Sequence, residues 1–128
     1  DIEAWQEARQ LTTAVYGITS KGQFRKDLGL SDQIQRAAVS VMTNIVEGFD
    51  SGSNAEFGRF LGYARRSASE VQCALYVALD QDYVAESEFK QLYERAEKVR
   101  RMVTSFTTYL RAHQRNNAPT RQRANAPT

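Results

Sequence analysis

Proline occurs at only two positions, Pro119 and Pro127, so residues 1 to 118 contain no residue that forces a helix to stop. What the chain does with that freedom is set by the spacing of its apolar residues. Four segments repeat them every three or four positions, the period of a helix with one buried face. The first carries Trp5, Ala8, Leu11, Thr12, Val15 and Ile18. The second, from about Ser31, carries Ile34, Ala37, Ala38, Val41 and Ile45. The third is the most regular: Phe57, Phe60, Leu61, Ala64, Ala68, Val71, Leu75, Ala78 and Leu79 fall in one stripe about 100° wide. The fourth runs through Phe89, Leu92, Tyr93, Ala96, Val99, Val103, Phe106 and Leu110.

The stretches between these segments read as helix ends. In "SKGQFRKDLGL", residues 20 to 30, Gly22 and Gly29 separate the first two helices, and Phe24, Leu28 and Leu30 can pin the connection to the core. Ser31 is the expected N-cap of the second helix. Gly48 is expected to close it in the left-handed conformation, which costs glycine little. Ser53 and Glu56 have the spacing of a capping box, and "DQDYVAES", residues 80 to 87, makes the last connection. Four helices with mostly short connections predict an all-α, up-down-up-down antiparallel four-helix bundle. We place the bundle domain at residues 1–112 and a basic polar C-terminal tail at 113–128.

A chain of 128 residues is one domain by length and can bury roughly two thirds of its unfolded surface without staples. Cys73 is the single cysteine, which excludes an intrachain disulfide and fits a reducing compartment. No apolar run reaches the length of about 20 residues that spans a bilayer, and no signal-peptide pattern opens the chain. The expectation is a soluble, cytoplasmic protein with no membrane partner. The chain opens at Asp1 rather than Met, so a short leader is expected ahead of it.

The second helix has more apolar surface than one core needs. With Ile34, Ala37, Val41 and Ile45 inside, Val39, Met42 and Val46 cluster on another side of the same cylinder, which points to a subunit interface in a homo-oligomer. Three scattered surface hydrophobes are the bland alternative. A third side carries Gln33, Arg36, Ser40, Asn44 and Glu47 at spacings of 3, 4, 4 and 3, one narrow ladder. It is either a solvated face or a polar seam. In a seam Arg36 and Glu47 need partners, for which Arg59, Glu56 and Glu70 on the next helix are available.

Residues 1 to 89 carry 8 basic and 13 acidic side chains, and residues 90 to 128 carry 9 basic and 2 acidic, giving charges of −5 and +7. The basic end is a candidate contact for an anionic partner, although such runs most often only solvate a helix. In "RAHQRNNAPTRQRANAPT", residues 111 to 128, no apolar face exists, and the composition predicts disorder. Arg111, Arg115, Arg121 and Arg123 in that segment are the candidate nucleic-acid-binding residues, with no acid among them.

Catalytic chemistry finds no constellation. His113 stands at the end of the last helix, far in sequence from Cys73, and no Cys, His, Asp or Glu spacing suggests a metal site. Gly22, Gly29, Gly48 and Gly52 are too dispersed for a phosphate loop. Tyr63, Tyr76, Tyr83 and the phenylalanines are better explained as core and interface than as a base-stacking platform. The sequence therefore predicts a non-enzyme with no cofactor and no metal.

Several blocks in order carry a resemblance: "DIEAWQEARQLTTAVYGIT", "LGLSDQIQRAAVSVMTNIVEGF" and "SNAEFGRFLGYARRSASEVQCAL". Their specific parts are Trp5 with Ala8, Asp32-Gln33-Ile34 followed by Arg36-Ala37-Ala38, Asn44-Ile45-x-Glu47-Gly48, and Glu56-Phe57-x-Arg59-Phe60-Leu61. Over roughly residues 1 to 112 the chain resembles the four helix bundle family of 23S rRNA intervening sequence proteins, relatives of the accessory variability determinant proteins of diversity-generating retroelements. The resemblance implies assembly into a homopentameric ring. For those accessory relatives it also implies binding of a reverse transcriptase and nucleic acid. This chain has Met42 where family members often have a nearby proline, and Arg66-Ser67 where they tend toward Gly-Ser. The family name records the place of some of its genes inside rRNA genes and does not establish rRNA binding. Two readings follow: an oligomeric assembly module presenting a ring-shaped surface to a protein or nucleic acid partner, or an RNA-binding accessory factor using its basic C-terminal end.

Overall fold

The computed structural model describes residues 2 to 125, with the side chains of residues 3 to 113. The described chain is all helix and turn: α1 (Ile2–Thr19), α2 (Gly22–Lys26), α3 (Leu28–Phe49), α4 (Asn54–Asp80) and α5 (Glu86–Asn125). The four long helices are the four periodic segments. α1 packs on α3 and α5, and α4 packs on the same two, so α1 and α4 stand diagonally across the bundle.

Cross-helix bonds fix the directions. Gln35 on α3 donates to Thr19 of α1 at 2.9 Å, while Met42, two turns later, lies 3.3 Å from Thr12. Arg95 and Lys98 of α5 reach Gln10 and Glu7 of α1 at 2.8 and 3.2 Å. In both pairs one number rises as the other falls, the signature of antiparallel neighbours. The core holds Leu11, Ile34, Ile45, Leu61 and Leu75 among its fully buried side chains. Between them lie alanines with no exposure, Ala8, Ala38, Ala64, Ala68 and Ala96, whose small side chains let the helices approach.

Both ends of α3 differ from the sequence expectation. α3 begins at Leu28, and its N-cap is Asp27, whose Oδ1 accepts from the Leu30 N–H at 3.0 Å. Ser31 lies one turn inside, buried, and donates to the Phe24 carbonyl at 2.7 Å. Phe24 is fully buried on α2, a one-turn helix too short to show a period, whereas Leu28 points to solvent with 76% exposure. Gly48 does not end α3 in the left-handed region. It is buried inside the helix, and the C-cap is Asp50 at φ −84°. The absent side chain is what counts: a Cβ at Gly48 would stand 2.7 Å from the Phe57 ring and 3.4 Å from the Phe57 carbonyl oxygen.

The remaining ends follow known chemistry. Ser53 caps α4 by accepting from the Glu56 N–H at 3.1 Å, while the Glu56 carboxylate lies 3.8 Å from Arg59. After α4 the chain turns through Asp82 at φ 60°, with Tyr83 N–H donating to Ala78 O and Asp82 N–H to Leu79 O, the double closure of a Schellman motif. α5 continues to Asn125, so the change of composition at residue 112 is not a helix end. The helix runs on through Pro119, a residue that the sequence marks as a stop.

Tyr83 ties the two connections at one end of the bundle together. Its ring stacks on Phe24 at 5.3 Å and its hydroxyl donates to Asp27 Oδ2 at 2.9 Å. The Leu30 N–H first, and then the Tyr83 hydroxyl, hold the Asp27 carboxyl below its ordinary value of 3.8. Asp27 is thus more acidic folded than unfolded. Its stabilisation is complete above the unfolded value and is lost as pH falls through the folded one. Asp27→Ala should lower the melting temperature by several degrees at neutral pH and flatten the loss of stability below about pH 4. Thermal circular dichroism across that range checks it, and parallel acid profiles would show that Asp27 contributes nothing.

Candidate assembly surface and polar seam

α3 presents two sides besides its buried one. Toward α1 lies Met42, half-buried and packed on the core. Thr12 Oγ1 stands 2.9 Å from Ala8 O, 3.2 Å from Ala38 O and 3.3 Å from Met42 Sδ, so the thioether is part of the α1–α3 contact. Val39 and Val46, on the same side but farther out, are 41% and 43% exposed. Tyr16 of α1, 48% exposed, joins Val39 in one shallow depression. Valine is a weaker helix former than the charged residues usual on a wet face, so helix propensity does not account for it there.

Sequence periodicity missed Tyr16 as a member of this surface. Its readable signal is an aromatic ring one residue past the buried Val15, outside the α1 stripe.

The polar ladder divides into a bonded middle and solvated ends. Ser40 Oγ and Ser67 Oγ of α4 are 2.9 Å apart, and Asn44 donates to Ser40 Oγ at 3.0 Å and to Ser40 O at 2.9 Å. Ser67 is buried, so this small network links α3 to α4. Gln33 is exposed. Arg36 pairs with Asp32 at 2.8 Å on its own helix, and Arg59 pairs with Glu56, so neither bonds Glu47. Glu47 is exposed and has no ion pair among the described residues. The partners across the helices that a seam would give Arg36 and Glu47 are absent in the single chain: nearer acids, four and three residues away on their own helices, take Arg36 and Arg59.

A second buried polar group sits between α4 and α5. Gln72, 6% exposed, donates to Glu97 Oε1 at 3.0 Å, and Arg100 donates to the same oxygen at 2.8 Å. The Gln72 bond, then the Arg100 bond, hold Glu97 below its ordinary value. The group fixes the register of α4 against α5. Nothing in it resembles a reaction centre.

At the end of the bundle where α3 turns into α4, aromatic rings form a chain. Phe49 meets Phe57 at 5.0 Å, Phe57 meets Phe106 at 5.1 Å, Phe106 meets Tyr109 at 6.0 Å, and Tyr109 meets His113 at 3.9 Å. Beside it opens a groove of about 900 Å³ between α1 and α5, with Met102, Phe106 and Tyr109 as its apolar lining and Glu3, Lys98 and Arg101 among its polar residues. Arg111 is exposed a half-turn beyond Tyr109. Arg115, Arg121 and Arg123 lie outside the residues whose side chains are described. Among the described residues no cluster of His, Cys, Asp and Glu could hold a metal ion, and no helix is long and apolar enough to cross a membrane.

The profile of the 23S rRNA-intervening sequence proteins matches residues 1–105. No curated protein matches the chain. Among solved structures, a protein of unknown function from the S23 ribosomal protein family of Bacteroides thetaiotaomicron superposes with a TM-score of 0.74. It is 19% identical, and the match covers 81% of this chain and 97% of that one, a likeness of fold.

Proposed function

The chain belongs to the 23S rRNA-intervening sequence protein family, and from that premise we propose that it is a non-enzymatic assembly module, a homopentameric ring that presents its surface to a protein or nucleic acid partner. One observation carries the reading: Val39, Val46 and Tyr16 stay between 41% and 48% exposed on neighbouring helices while the bundle core is complete without them. Solvent-exposed apolar side chains grouped on one face are what a subunit contact leaves behind when one chain is viewed alone. The ring form comes from the family resemblance. When tagged and untagged copies are expressed together, the untagged copy should be retained with the tagged one through washing. Recovery of the tagged copy alone would count against assembly.

A second reading rests on charge. Residues 90 to 128 have a net charge of +7, and the exposed Arg111 begins a run of four arginines without an acid. In a ring all five copies of this run leave from one rim, a multivalent grip on a polyanion. Truncation after Ala112 should then abolish RNA retention at low salt without changing the oligomeric mass. Equal retention by the truncated protein would leave the basic end without that role.

A further inference from the structure

A ring of more than two identical subunits cannot be built from one self-complementary patch. Its contact is heterologous, so each chain must carry two different surfaces that fit one another. The exposed side of α3 supplies one. The second has to lie at the same level along the bundle if the ring axis runs parallel to the helices, because rotation about such an axis moves no residue up or down. Val46 and Glu47 lie one turn or less from Phe49, whose ring meets Phe106 of α5 at 6.2 Å. The groove lined by Met102, Phe106 and Tyr109 is therefore at their level. Of the other exposed apolar side chains, Tyr76 and Val77 are at the opposite end, where Tyr76 packs on Phe89 at 4.9 Å, and Tyr63 is on α4, the helix diagonal to α1.

Direction and charge select the same groove. Around the bundle α1 separates the α3 side from the α1–α5 groove, so the two surfaces lie on adjoining rather than opposite faces. Five-fold closure needs faces that meet at a corner, since opposite faces would propagate a straight row. Arg101 at the groove is exposed, and although its charge acts on Glu97 of the same helix it makes no close ion pair among the described residues. Glu47 beside Val46 is an exposed acid in the same position.

We propose that the α1–α5 groove receives the α3 face of a second copy of this chain, with Val46 set against Met102 and Tyr109 and Glu47 facing Arg101. This inference rests on the assembly reading and assigns its second surface. It also gives Glu47 a partner that a single chain lacks. The contact combines a desolvated apolar centre with a charge pair that sets its register.

Two variants and their mixture test it by light scattering, with helical circular dichroism checked for each. V46D spoils the α3 face and leaves the groove intact. The double variant R101E/Y109E does the reverse, and both of its positions are exposed, so folding is spared. Each alone should run at the mass of one chain. Mixed in equal amounts at high concentration they should give a species of two chains, since one intact contact remains and neither free end can extend it. If the wild type is oligomeric and V46D monomeric while R101E/Y109E keeps the full mass, the groove assignment is wrong and the assembly reading stands. The same holds if the two monomeric variants stay apart when mixed. A monomeric wild type would overturn both.

Discussion

Gly48→Leu is expected to lower the melting temperature by about 10 °C, the equivalent of about 2 to 3 kcal/mol of overpacking in a domain of this size. Gly48 is buried, and the first added carbon would already stand 2.7 Å from the Phe57 ring. That ring has little room to move, because it is held between Phe49 at 5.0 Å and Phe106 at 5.1 Å. Gly48→Ala is the informative control. Alanine gains about 1 kcal/mol of helix propensity over glycine, which offsets part of the clash, so its loss should be the smaller of the two. Thermal unfolding followed in the near-ultraviolet, where the aromatic chain reports, measures both. A Gly48→Leu protein that melts with the wild type would show that α3 and α4 do not need the close approach.

Val46→Asp should have the largest effect on mass, reducing the assembly to single chains while the helical signal is retained. The separation of the two effects follows from position. At 43% exposure within one chain the new carboxylate stays wet and costs the bundle little, whereas an apolar subunit contact would strip its water and leave it unpaired. Met42 is not an equivalent probe. Its sulfur lies 3.3 Å from Thr12 inside the chain, so a charge there would damage the fold itself.

The helices were legible in the sequence because each buries one stripe, and the α4 stripe from Phe57 to Leu79 is long enough to fix both type and length. Their ends were less legible where one residue type serves two purposes. Glycine both closes helices and permits close approach, and at Gly48 only the position of Phe57 separates the two. Asp27 and Ser31 are both capping types four residues apart. The choice between them depends on the Phe24 carbonyl, which becomes a partner for Ser31 only once α2 has formed. In the ladder from Gln33 to Glu47, periodicity gives the side of the helix but not the partner across it. Ser40 finds Ser67 on α4, while Arg36 finds Asp32 on its own helix. The α1–α5 groove was hidden for a related reason: Phe106 belongs to the α5 core stripe and also lines the groove.

Light scattering on the purified wild-type protein at micromolar concentration tests the assembly most directly. The account predicts a single species of about five times the 14.5 kDa chain mass. A species at the mass of one chain under those conditions would contradict it.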